Sequence, residues 1–143
     1  MRALDERAAR IMNALVAPLV GGTVHHRWEK PDSAYMAAVI EKLYTLDEDN
    51  TVYSLAHYFK LNGDLCQDPD VEFWHTGHLW YPCMYQQAIP PVYQQCIDVS
   101  GWPTPPHVTN EGHQESITSF CNQWLRTIAE QQELTLTSEE IPV

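Results

Sequence analysis

Cations are what this chain has least of: eight Lys/Arg stand against nineteen Asp/Glu in 143 residues, a formal net charge of −11. The shortage is uneven. Residues 1–60 hold seven Lys/Arg against eight Asp/Glu, a balance of −1, whereas residues 61–143 hold Arg126 alone against eleven, a balance of −10. A surface so poor in cations repels phosphate, which disfavours direct contact with DNA or RNA and points to a basic partner. Solubility is the plainest use of such charge; the sharper one is an acidic surface that competes for a nucleic-acid-binding protein. No apolar run is long enough to cross a membrane. Charges at Arg2, Asp5 and Glu6 interrupt any signal-peptide core, so a cytoplasmic location with reduced thiols is expected. The four cysteines, Cys66, Cys83, Cys96 and Cys121, form no C-x-x-C pair, so neither a thioredoxin-like motif nor a zinc ribbon is written. A catalytic or ligand-binding motif of high specificity is also missing.

What is present reads as one globular domain. The length suits a single core, and 44% hydrophobic with 19% charged residues is globular rather than disordered. The pattern predicts an α+β fold: a small antiparallel sheet of about four strands, packed by two N-terminal helices and one long C-terminal helix. The domain is expected over residues 1–134, with a flexible acidic tail over 135–143.

The first helix is predicted over Leu4 to Val16, where Leu4, Ala8, Ile11, Met12, Leu15 and Val16 fall on one stripe. Pro18 and Gly21-Gly22 end it. His25 to Trp28 reads as a loop. A second helix is predicted from a Pro31-Asp32-Ser33 start to about Tyr44 or Thr45, with Met36, Val39, Ile40 and Leu43 on one face. Asp47-Glu48-Asp49-Asn50 reads as a solvated turn, lacking the alternating ligands of a calcium loop. From Thr51 the period becomes two, with Tyr53, Leu55, His57 and Phe59 on one face. Asn62-Gly63-Asp64 and Asp68-Pro69 mark a loop. Val71 to His75 and His78 to Gln86 form a hairpin about Thr76-Gly77. Tyr85-Gln86-Gln87 and Tyr93-Gln94-Gln95 flank a rigid Pro90-Pro91 turn, and residues 101–107 form a proline-rich loop anchored by Trp102. The last helix is predicted over Glu111 to Glu133, capped by Asn110, with Ile117, Phe120, Cys121, Trp124, Leu125 and Ile128 on its inner stripe.

Candidate chemistry concentrates in residues 51–99. His57 reads first as a half-buried structural histidine and second as a catalyst. Cys66, His75, His78 and Cys83 are the only set that could hold zinc, with the two histidines flanking a tight turn, although the spacing lacks the close ligand pair of a zinc knuckle. No glycine elbow surrounds any cysteine, which disfavours a nucleophile. No metal or cofactor is therefore assigned. The exposed acids Asp64, Asp68, Asp70, Glu72, Glu115, Glu130 and Glu133 are the candidate partner-binding residues.

The run from Tyr53 to Phe73, with its Asn62-Gly63-Asp64 and Asp68-Pro69-Asp70, then Trp80-Tyr81-Pro82, Tyr85-Gln86-Gln87, and Phe120 to Leu125, resembles a family of short uncharacterised proteins from phages and integrative or conjugative elements. The resemblance covers roughly residues 51–132, the span of one domain. It implies an accessory protein of a mobile element. Joined to the charge balance, it leads to the expectation of a non-enzymatic acidic protein that antagonises a host defence or nucleic-acid-handling complex, anti-CRISPR-like or a DNA mimic. Its partner would be a basic host protein or nucleoprotein, with no direct nucleic acid and no membrane. The alternatives are a zinc- or histidine-dependent enzyme using His57, His75, His78 and Cys83, and a structural or dimerisation module. A homodimer through an edge strand or the Tyr-Gln-Gln segments is also consistent with the sequence.

Overall fold

The computed structural model describes residues 1–31, 35–134 and 136, with the backbone alone at 59–61, 64, 65 and 67. The fold is α+β. Two helices, α1 (Glu6–Val16) and α2 (Glu111–Gln131), enclose six consecutive strands: β1 (His25–Trp28), β2 (Ala38–Asp47), β3 (Asn50–Leu61), β4 (Asp64–Thr76), β5 (Leu79–Gln87) and β6 (Val92–Gln95). The six form one sheet in sequence order, antiparallel throughout. Two short strands, β7 (Ile97–Asp98) and β8 (His107–Val108), make a separate ladder.

Both helices pack on one face of the sheet. Ala8, Ile11, Met12 and Leu15 of α1 and Ile117, Cys121, Trp124, Leu125 and Ile128 of α2 share a core with Ile40, Leu55, Val71, Phe73 and Trp80 from the strands. Asp5 caps α1 by accepting from the Ala8 amide at 2.8 Å, and Asn110 caps α2 by accepting from the His113 amide at 2.9 Å. Gln114, fully buried, ties three elements together: its side chain accepts from the Arg2 amide and donates to the carbonyls of Arg2 and Pro82. On the opposite face, the β7–β8 ladder and Trp102 cover one part of the sheet over Val52, Trp74 and Cys83. Among the described residues the rest of that face is open, with Glu41, Tyr44 and Tyr93 exposed on it.

The α+β class and both terminal helices agree with the sequence reading, while the count of about four strands and the second N-terminal helix do not. Residues 38–45 are strand β2, paired on both sides, with Ile40 opposite His26 and Leu55. The run Ala38-Val39-Ile40 fits a period of 3.6 or of 2 equally well. Neighbouring strands decide it, because β-branched residues fill a pleated surface sandwiched between β1 and β3. The expected start at Asp32-Ser33 lies outside the described residues. His25–Trp28 is an edge strand rather than a loop, held partly by the Trp28 indole donating to the Leu15 carbonyl at 3.2 Å. His78 sits in the turn, not in a strand: Thr76 pairs with Leu79, leaving Gly77 and His78 as the two turn residues, and Gly77 takes a φ of 60° that glycine tolerates without strain. The β3–β4 hairpin turns at Asn62-Gly63 with both φ positive, 53° and 87°, as expected of a two-residue hairpin turn, whereas Asp68-Pro69, expected in a loop before a strand from Val71, lies inside β4 at the irregularity in its pairing with β3. The tail expected beyond residue 134 falls outside the described residues, apart from Leu136, which packs against the core. Among the described residues no helix is long and apolar enough to cross a membrane.

Candidate functional site

The open face is built by the strands' period-two alternation. On β4, Val71 and Phe73 enter the helix-side core, so Asp70 and Glu72 must point the other way. Ala56 opposes Asp70 and Ser54 opposes Glu72 on β3, with Glu41 of β2 beyond Ser54. Gln86 of β5 lies opposite Asp70 on the other side, followed by Tyr93 of β6. Tyr44 and Tyr58 complete the surface. Glu41, Tyr44 and Tyr93 are exposed, whereas Asp70, Glu72 and Tyr58 are half-buried.

The electrostatics follow from that placement. Burial, then the neighbouring Asp70 carboxylate, raises the Glu72 carboxyl above its ordinary value. Burial likewise raises the Tyr58 phenol, helped by Asp70 and Glu41, and the Tyr44 phenol, helped first by Glu72. Negative charge is thus gathered on one face, and among the described residues Glu72 has no ion-pair partner. A raised carboxyl favours the protonated form in the folded state. Glu72 therefore adds stability below about pH 4.5, its unfolded value, and that contribution is lost as pH rises through the folded value. Replacing Glu72 with Gln is expected to stabilise the protein against urea near neutral pH and to have little effect near pH 4.

The expected acidic surface is split by the fold. Asp70 and Glu72 lie on the open sheet face, but Glu115 and Glu130 lie on α2 across the molecule, and Glu133 is ion-paired with Lys30. Asp68 is exposed beside His57 near the β3–β4 irregularity. Asp64 begins β4, and only its backbone is described. Glu41, Tyr44, Tyr58, Gln86 and Tyr93 were not marked by the sequence reading. Their signal was the spacing of Asp70 and Glu72 around buried Val71: once β4 is a strand, both acids and their cross-strand neighbours share a face.

The zinc candidates do not converge. His75 stacks on Trp80 on the helix side, rings 3.8 Å apart, while Cys83 is buried on the opposite face and donates to the Glu72 carbonyl at 3.3 Å. Cys66 lies nine residues before His75 on the same strand, about 30 Å away at the usual rise. No group of three His, Cys, Asp or Glu among the described residues could hold a metal ion. Burial pushes the Cys83 and Cys121 thiols well up and the Cys96 thiol to about 11, away from the thiolate that a nucleophile needs.

His57 is 5% exposed, edge-on to the Trp124 ring at 5.4 Å, with no hydrogen-bond partner for Nε2. Burial lowers its pKa below 6.5, against a smaller opposing pull from Asp68. Its neutral form stabilises the fold above about pH 6.5, and that stability is lost as pH falls towards the folded value. His75 acts in the same direction, lowered by burial and then by His78. His57→Phe is expected to reduce the loss of urea stability between pH 6.5 and pH 5.

A cavity of about 450 Å³ opens between α1 and the β4–β5 turn, lined by Glu6, Ala9, Arg10, Asn13, His78 and Trp80 among others. Glu6 and Arg10, both in its lining, form an ion pair at 2.7 Å, and Asn13 Oδ1 accepts from the Trp80 indole at 3.0 Å. His78, one of the four zinc candidates, is the one that faces this space.

No curated protein and no solved structure matches this chain. A family model does, over residues 7–134, a span that takes in α1 from its second residue, α2 and the eight strands among the described residues. It describes a domain of unknown function, and the chain belongs to that family, DUF6908.

Proposed function

We propose that this protein is a non-enzymatic binding protein whose open sheet face, centred on Asp70 and Glu72, receives a basic partner. The observation that carries the reading is the half-burial of two adjacent carboxylates among Tyr44, Tyr58 and Tyr93, with Glu72 raised by burial and by Asp70. A carboxyl raised in this way, as Glu72 is, costs stability in its ionised form until a cation compensates it. Phenol rings beside carboxylates suit an Arg or Lys side chain, through ring-face attraction together with charge-assisted hydrogen bonds. The cation-poor balance of residues 61–143 adds long-range attraction for such a partner and repulsion for free nucleic acid.

The finer reading is an accessory protein of a phage or other mobile element, acting in a bacterial cytoplasm as an antagonist of a host defence or nucleic-acid-handling complex, in the manner of a DNA mimic. It rests on the sequence resemblance and the charge. A small-molecule reading is supported by the α1–hairpin cavity, whose size is that of ordinary ligand sites.

The test is fluorescence anisotropy with a labelled nona-arginine peptide and with a labelled DNA duplex. Binding to the peptide that weakens steeply with salt, and none to the duplex, is expected. Binding to the duplex, or to neither probe at low salt, contradicts the reading.

A further inference from the structure

We infer that β6 is an edge for self-association, pairing antiparallel with β6 of a second copy. β6 ends the sheet, with β5 on one side and, among the described residues, no strand on the other. It also lies in the most neutral part of the chain: residues 73–97 contain no Asp, Glu, Lys or Arg. Edge strands ordinarily carry charge or other guards against pairing, and β1 at the far edge carries Arg27. In a protein of net charge −11, this uncharged edge is where two copies can approach with least repulsion. A basic partner would find no carboxylate on β6 itself.

The available stretch is short and its register is constrained. Pro90 and Pro91 precede β6, and the Thr109 hydroxyl donates to the Gln95 carbonyl at 2.9 Å, so Val92 to Gln94 is the open part. A two-fold axis normal to the sheet keeps each face aligned with its own kind. Centred on this stretch, it sets Tyr93 against the partner's Tyr93 on the open face, and Val92 against the partner's Gln94 on the helix face. Tyr93 is 63% exposed and Phe120, on the adjoining helix, 40%.

The helix side has a receptor for such a strand. Gln94 borders a groove of about 220 Å³ with Tyr85, Ser116, Ile117 and Phe120. In this register the partner's Val92 projects over that groove, and the symmetry repeats the contact. Backbone ladder bonds and two reciprocal valine contacts then make one isologous interface. It borders the basic-partner site at Tyr93 but needs neither Asp70 nor Glu72, and its salt dependence has the opposite sign.

Sedimentation velocity of the full chain over about 5–500 µM, the range where small interfaces associate, tests the inference at low and high salt. The 16.4 kDa chain is expected to shift from monomer to dimer, and to do so more readily as salt screens the mutual repulsion. Val92→Glu is expected to weaken association at least tenfold with an unchanged far-UV circular dichroism spectrum. Gln94→Lys, at the reciprocal position, is expected to do the same. A chain that stays monomeric throughout, a dimer that weakens as salt rises, or two variants that dimerise like the parent would overturn it.

Discussion

Reversing Asp70 and Glu72 together to Lys is expected to weaken binding of an arginine-rich peptide about 100-fold or more. Each reversal removes an attractive contact and adds a like charge to a half-desolvated site, and close charge pairs of this kind contribute several kcal/mol where they have been measured; about 3 kcal/mol already corresponds to 100-fold. The informative control is Glu115→Lys with Glu130→Lys. That pair changes net charge by the same amount but lies on α2, across the molecule from the open face. If binding depends on the site, the control loses only the long-range share, which is small at physiological salt. Equal losses in the two double variants would mean that net charge alone attracts the peptide and that the open face has no special role.

Trp80→Ala is expected to destabilise the fold by about 3 to 5 kcal/mol, a large part of the stability of a domain this size. Trp80 is 0% exposed and joins the layers of the structure: its ring packs against Tyr53 and Phe73 and stacks on His75, and its indole donates to Asn13 of α1. Truncation leaves a cavity beside the existing space under α1 and leaves the Asn13 carbonyl without its donor. Trp80→Phe retains most of the apolar volume and is expected to cost less. Urea titration should show a lowered midpoint with an unchanged slope in both variants. A midpoint for Trp80→Ala within about 1 kcal/mol of the parent, below the usual range for such truncations, would remove Trp80 from the centre of the core.

Much of the fold was legible wherever local signals agreed with each other. Asn110, the stripe from Ile117 to Ile128 and the cation-poor outer face wrote α2 almost to the residue, and Asn62-Gly63 wrote its turn. β2 was not legible. Met36, Val39, Ile40 and Leu43 satisfy a helical period, and only the partners His26, Leu55 and Ala56, distant in sequence, hold the segment extended. That one misreading hid two residues of the candidate site, Glu41 and Tyr44, which belong to β2. Asp70 and Glu72 were visible as acids, but the sequence grouped them with Glu115 and Glu130. Which acids share a surface depends on which strand face each occupies, and this is decided by the two-layer packing. The split of His75 and Cys83 to opposite faces has the same origin, sharpened by the irregularity at Glu72–Phe73, where the register jumps from Met84 to Pro82 and leaves Cys83 as the extra residue.

The central claim, that basic ligands meet this protein on the open face of the sheet, is tested most directly by titrating isotope-labelled protein with nona-arginine and following the backbone amide resonances. The account predicts saturable shifts confined to Glu41, Ser54, Asp70, Glu72, Gln86 and their neighbours, abolished in the Asp70→Lys, Glu72→Lys variant. Shifts centred on the outer side of α2, or spread over every acidic residue without saturation, would contradict it.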